Sequence, residues 1–392
     1  MKASGFRFYN PVKLISGQTA LDSLPYELKQ LQSSRPLIIS DQGVVKAGLT
    51  ELVKKALGGS DQIAVSIYDR VPPDSSPADV NAAAAVFREN ECDSIIAVGG
   101  GSVIDTGKAV NIVISEEADD ILQLLGAKLR GTMTPFIAIP TTAGTGSEVT
   151  YAAMIKDAAQ NQKLLFASFQ LFPDTAILDP RMTVSLPPLV TAATAMDAMS
   201  HAMEAYISNQ KNPISDAHGF SAIRLIRENL LRALADGGDM DARFYLAIAA
   251  CMAGAAFSNS GVGVVHAMGH ALGGICGVSH GVAMNIFLPH ALEFNISAAQ
   301  DAIGEMLMPL AGPDEYVQTA PQERAARTVA AIQELKDKLY ETAKLPRTLS
   351  EAGVQKNSLE RVARKALQDP AINFNPVAAS YDDVRDILQN AF

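Results

Sequence analysis

SIIAVGGGSVIDTGKAV (residues 94–110) decides how this chain folds. A short β-branched run meets three consecutive glycines and continues as VIDTGKAVNIVI, which reads as strand, tight turn and helix. The pattern recurs on either side of it. PLIIS (36–40) precedes KAGLTELVKKAL, QIAVSIY (62–68) precedes PADVNAAAAVFREN, and PFIAIP (135–140) runs into a loop of Thr and Gly. Apolar runs of about five residues alternating with helices predict a parallel sheet covered on both faces.

Beyond Leu186-Pro187-Pro188 the pattern stops. Long Ala-, Leu- and Met-rich windows follow, among them 215–236 after Pro213 and 322–343, with no convincing strand. The expectation is an α/β domain over residues 1–186 and an all-α domain over 187–392, the division that 392 residues favour over a single core. No repeat of solenoid length is visible.

Composition narrows the function. Acidic side chains number 42 against 32 basic ones, with no basic run, which disfavours a binder of nucleic-acid backbones. Cys92, Cys251 and Cys276 are too few and too far apart for a disulfide scaffold. MKASGFRFYNPVKLISG lacks the charged-then-apolar order of a signal peptide. The longest apolar run, 244–257, is shorter than the about 20 residues of a spanning helix and reads as a core helix. A reduced, cytoplasmic protein without membrane or nucleic-acid partners is expected.

Gly99, Gly100 and Gly101 allow a close backbone approach, and their N–H groups with the following helix N-terminus suit a pyrophosphate. Neither standard fingerprint matches: G-x-G-x-x-G is absent, and Gly101 to Gly107-Lys108 is one residue too long for a P-loop. Two further features support a nucleotide. Asp41 follows PLIIS, where a carboxylate accepts ribose hydroxyls and repels a 2′-phosphate, favouring NAD over NADP; alone it would read as a helix cap. PTTAGTGSE (140–148) places small hydroxyls at the carboxyl end of a strand, where open α/β sheets bind ligands.

The second half carries a different chemistry. Asp197 and His201 stand at i and i+4, as do His266 and His270, and His280 follows ten residues later. A carboxylate with three imidazoles forms an N/O site suited to Fe²⁺, Zn²⁺, Ni²⁺ or Mn²⁺. The surrounding helices are apolar and would otherwise bury these groups unpaired. Ala267 stands where a zincin protease has its Glu. His218 and His290 read as structural.

Together GGGSVID, PTTAGTGSE, LDP, Asp197-x-x-x-His201, FSNSGVGVVHAMGHALGG and SHGVAMNIFLPH resemble the iron-containing (group III) alcohol dehydrogenase family over nearly the whole chain. The resemblance implies a nucleotide-binding α/β domain, a helical metal domain and an active site in the cleft between them. It implies Asp197, His201, His266 and His280 as ligands of a divalent metal, Fe²⁺ before Zn²⁺, Ni²⁺ or Mn²⁺. His270 then falls beside substrate and nicotinamide as a non-ligand. Dinucleotide contacts fall on Asp41, Gly99, Gly100, Gly101, Ser102, Asp105, Thr141, Thr142, Met154, Lys163 and Thr183, and on Asp74, where members often have Asn. Related zinc enzymes of the glycerol dehydrogenase type use three protein ligands, so four point to the alcohol dehydrogenase branch.

The expected reaction moves a hydride between a small neutral alcohol or diol and NAD, aldehyde reduction being its reverse. His270 is the candidate for relaying the proton. Ala152, Phe257, Gly277 and Val278 are small or apolar pocket candidates, with no evident Arg for a carboxylate. The competing readings are a polyol dehydrogenase or sugar-phosphate lyase on the same scaffold, and a nucleotide-binding protein with a structural metal. The family assembles as homodimers or larger homo-oligomers.

Overall fold

The computed structural model of the chain describes residues 5–58, 63–157 and 162–392. It divides into two compact units: Asn10–Ser185, and Leu186–Phe392 together with the described residues before Asn10.

The first unit is the parallel sheet that the glycine-turn pattern predicts. Six strands, β1 (Lys13–Ser16), β2 (Pro36–Ile39), β3 (Ser66–Tyr68), β4 (Ser94–Gly99), β5 (Phe136–Pro140) and β8 (Thr175–Leu178), lie in the order β1-β8-β5-β4-β2-β3. All their pairings are parallel. Side chains alternate by strand period onto two cores. Leu37, Ile39, Ile95, Ala97, Phe136 and Ala138 face one, while Ile38, Ile96, Val98, Ile137 and Ile139 face the other. Helices α1 (Leu24–Gln30), α2 (Gln42–Lys46) and α3 (Leu49–Leu57) cover the second core; α4 (Pro77–Glu89) and α5 (Gly101–Ser115) cover the first. An antiparallel pair, β6 (Ala152–Asp157) and β7 (Gln162–Ala167), stands apart from the main sheet.

Several elements differ from the sequence reading. β3 begins at Ser66, and residue 62 of the expected strand lies outside the described residues. KAGLTELVKKAL is no single helix, because Gly48 adopts a left-handed φ of 77° between α2 and α3. β1 and β8, KLIS and TAIL, were not expected; four residues each are too few to show a period, and their pairing supplies the strand character.

The second unit is helical, with no strand among the described residues after β8. Its main helices are α6 (Pro188–Ile207), α7 (Pro213–Ala235), α8 (Met240–Ser258), α9 (Val264–Cys276) and α10 (His280–Glu305), followed later by Arg324–Ala343. Asn212 caps the Ser215 N–H, so α7 opens earlier than expected, with Pro213 in its first turn. α8 is longer than the apolar run within it because Asp239 caps the Ala242 N–H and adds a turn. That makes it long and apolar enough to cross a membrane by length and composition, yet it packs on α6 and α7 with most of its surface buried. The residues before Asn10 were expected with the sheet. They join the helical unit instead, where Asn259 accepts the Tyr9 N–H at 2.7 Å and donates to its carbonyl at 3.2 Å.

Candidate metal centre and nucleotide loop

α6 is nearly all buried and carries Asp197 and His201 one turn apart. α9 brings His266 and His270, and His280 is the first residue of α10. Donor atoms of Asp197, His201, His266 and His280 all lie within 4.8 Å of one another. Asp197 Oδ1 is 3.3 Å from His280 Nε2 and 3.8 Å from both His201 Nδ1 and His266 Nε2. Asp197 Oδ1, His201 Nδ1 and His266 Nε2 are buried without a hydrogen-bond partner. Three orphaned polar atoms facing one point cost several kcal/mol unless something between them accepts their lone pairs. The donor set of three imidazoles and one carboxylate suits a borderline dication. The residues therefore fit a metal.

Electrostatics agree with that fit. Burial disfavours charge on Asp197, but His201 and His280 beside it hold its carboxyl well below the usual range. Burial pushes His201 down to about 3 and His280 to about 4, so both are neutral ligands-in-waiting at ordinary pH. His266 moves up to about 9: burial opposes its charge, yet Asp197 and Glu204 outweigh it. Positive charge is thus wanted at this spot.

His270 lies outside the four-donor set. Its ring stacks on His280 at 5.3 Å, and its Nδ1 bonds Asp369 Oδ2 at 2.8 Å. Asp369 Oδ1 accepts the Ala371 N–H, so the carboxylate is itself held. Burial of Asp369 is outweighed by His270, and its carboxyl lies below the usual range. Phe257 stacks on His201 at 4.2 Å, adding an apolar wall.

In the sheet unit Asp41, the Gly99–Ser102 turn, Thr141, Thr142 and Thr183 follow the carboxyl ends of β2, β4, β5 and β8, whereas Asp74 follows β3 and Met154 and Lys163 lie on the β6–β7 pair. Gly99 ends β4, Gly100 caps α5, and Gly101 and Ser102 begin it. A Cβ on Gly99 would meet Val103 at 2.5 Å and one on Gly101 would meet Thr145 at 2.7 Å, so the turn is bare by necessity. Thr141 donates its N–H to Gly99, and Thr142 packs on Gly100. The bare turn and open helix N-terminus fit a pyrophosphate. Ser40 bonds the Val98 carbonyl, which sets Asp41 beside this loop.

Other predicted residues are partly committed within the protein. Asp41 is a helix cap as well: its Oδ1 accepts from Gly43 and Val44, while Oδ2 takes no part in the cap. Asp105 uses one oxygen for Ser147 Oγ and the other for the Met154 N–H, tying Met154 to the loop. Thr183 is buried and donates to the Pro180 carbonyl. Asp74, at a left-handed φ of 56°, is bridged at 3.3 Å by Lys163 and equally by Lys156.

Sequence reasoning missed Glu204, Asp369, Lys108, Glu148 and Lys156. Glu204 had a signal, since it continues the Asp197–His201 face of α6. Asp369 had none, being 99 residues from its partner.

Comparison with known proteins covers both units. The iron-containing alcohol dehydrogenase model matches residues 11–180, and the C-terminal model of the Fe-containing alcohol dehydrogenase family matches 191–392. The NAD-dependent methanol dehydrogenase of Bacillus methanolicus is 34% identical over 98% of this chain and 99% of its own. The 1,3-propanediol dehydrogenase of Klebsiella pneumoniae is 34% identical over 96% of each. The crystal structure of a 1,3-propanediol oxidoreductase superposes with a TM-score of 0.93 at 33% identity, covering 99% of this chain and 100% of that one.

Proposed function

The chain belongs to the iron-containing alcohol dehydrogenase family, and on that premise we propose the residues that carry its reaction. It is a metal-dependent oxidoreductase that transfers a hydride between a small neutral alcohol or diol and NAD, and reduces aldehydes in reverse. The observation that carries this reading is the group of three orphaned buried atoms, Asp197 Oδ1, His201 Nδ1 and His266 Nε2, with His280 closing the set. A binding module with a structural metal would not need His270 held beside such a site. The polyol and lyase alternatives are not favoured.

Asp197, His201, His266 and His280 hold one divalent cation, Fe²⁺ in the native protein. A dication held there would supply charge stabilisation at the substrate oxygen, and NAD would supply the hydride acceptor. Gly99, Gly100, Gly101 and Ser102 offer backbone N–H groups to the pyrophosphate, and Thr141 and Thr142 line the same turn. Asp41 turns its uncommitted oxygen to the adenosine ribose. Asp74, Lys163, Met154, Asp105 and Thr183 complete the dinucleotide contacts, with Asp105 also holding the Met154 N–H. His270 moves the proton to solvent through Nε2, because Asp369 occupies Nδ1. Phe257 keeps water from the His201 side and favours an uncharged substrate carbon chain.

The sheet unit is thus the dinucleotide-binding domain and the helical unit the metal-binding, catalytic one. The protein works in the cytoplasm as a homodimer; edge strand β1, with Leu14 exposed, offers a surface for a second copy. The test is NADH formation across a panel of alcohols and diols by protein reconstituted with Fe²⁺ without oxygen, with molar mass from light scattering. No turnover of any alcohol by metal-loaded protein overturns the assignment.

A further inference from the structure

Glu204 lies on α6, three residues past His201 and on the same face as Asp197, and is only 2% exposed. Both of its oxygens are spent on α9. Oε1 accepts the Val265 N–H at 2.7 Å, and Oε2 meets His266 Nδ1 at 2.5 Å. It is therefore not a fifth donor to the metal. Capping α9 does not explain a charge here either, because the adjacent Val264 N–H is satisfied by the neutral amide of Asn375. Burying a carboxylate costs far more than burying an amide, so the charge itself needs a use. The backbone makes room for it: a Cβ on Gly263 would stand 3.1 Å from Glu204 Oε1 and 2.6 Å from Asn375 Oδ1.

We propose that Glu204 is a positioning residue for the metal, which fixes His266 with Nε2 turned to Asp197 and adds a second negative charge to the buried site. It rests on the ligand set proposed above. A carboxylate at Nδ1 keeps the imidazole proton there, so Nε2 is left as the donor, and the ring plane is locked by the bond. Asp197 alone would leave a buried dication with one unit of uncompensated charge; Asp197 and Glu204 together neutralise it. The same side chain ties α6 to the first turn of α9, so the two helices that bring three of the four ligands keep their register through one carboxylate.

The experiment measures Zn²⁺ affinity alone, by competition with a chromophoric chelator, on metal-free full-length protein without substrate or NAD. Glu204→Gln keeps the shape and can still accept the Val265 N–H but loses the charge. It should bind Zn²⁺ about 10- to 100-fold more weakly, and the visible bands of its Co²⁺ form should shift. Glu204→Asp keeps the charge with a shorter reach and should fall between the two. Thermal unfolding of each metal-free variant reports folding separately. Unmutated affinity in a folded Glu204→Gln overturns the proposal, since a purely structural cap would give that result. If Glu204→Gln does not fold, Glu204→Asp decides in the same way, and unchanged affinity again overturns it. Failure of the unmutated protein to take up Zn²⁺ removes the ligand set itself, a different outcome from a variant that binds as well as the parent.

Discussion

Each unit buries a cluster of charged groups of its own, and these two clusters are built to opposite rules. In the sheet unit, Lys108 is 1% exposed and its Nζ donates to Ser147 Oγ, Thr150 Oγ1 and the carbonyls of Thr150 and Ala152, at 2.8 to 3.1 Å. Asp105 beside it is bonded at both oxygens. In the helical unit, Asp197, His201 and His266 face one another with bare donor atoms. The saturated cluster is scaffold: it pins the 147–152 loop to α5. The unsaturated one is a place for a ligand. Saturation, not burial or charge, separates the two, because a buried polar atom is stable only when something completes its bonds.

The largest expected effects break the unsaturated cluster. His201→Ala, His266→Ala and His280→Ala should each empty or cripple the metal site and abolish turnover, and a chelator should do the same to the parent until Fe²⁺ is restored. Elemental analysis and kcat on each variant measure this. His270→Ala should retain metal and lose roughly 10²–10⁴-fold in kcat. Should His270→Ala lose metal while His280→Ala keeps it, the two histidines have exchanged roles.

Lys108→Met tests the saturated cluster. It leaves Asp105 and four acceptors without their cation and should destabilise the protein by about 3–5 kcal/mol in urea unfolding, while the folded fraction still takes up metal. A stable Lys108→Met would erase the distinction drawn between the clusters.

Glu148 sharpens it through pH. Burial lifts its carboxyl from the ordinary 4.5 to about 7, against the pull of its own backbone N–H and Lys108. Between these values the folded protein holds a proton that the unfolded chain has released. Stability from this group is therefore whole below pH 4.5 and lost as pH rises through 7. The loss is at most about 3 kcal/mol. Denaturation midpoints of the parent should fall from pH 5 to 8 relative to those of Glu148→Gln, and parallel curves would refute the shift.

The smallest effect concerns Asp41. The parent should use NAD well and NADP poorly, and Asp41→Gly should narrow the ratio of kcat/KM by about tenfold, since repulsion between charges in contact with solvent is worth about 1 kcal/mol. Glycine is tolerated at a helix cap, so stability should change little. Equal use of both cofactors by the parent would leave Asp41 only its capping role.

Much of this site was legible because its residues sit at helical spacing. Asp197 and His201, and His266 and His270, are one turn apart, and a polar stripe on an apolar helix stands out in any sequence. Spacing alone could not say which of His266, His270 and His280 turn a nitrogen to Asp197, since rotamer and helix packing decide that. Lys108 gave no signal of its partners at all. It lies in the middle of α5, and its ammonium turns inward to the 147–152 loop. Asp41 was offered as a ribose acceptor or a cap, and the structure shows it capping.

The order of short apolar runs and glycine turns determined the parallel sheet and its two covered faces, because strand period and turn chemistry are local properties written into consecutive residues. The helical second half and its polar stripe were determined in the same way. Tertiary structure alone decided which buried charges close on each other and which stay open. Asp105 finds Ser147 and Met154, Lys108 finds Thr150, Glu204 finds His266, and His270 finds Asp369, each across dozens of residues. Those pairings depend on how strands and helices pack, and no local period records them.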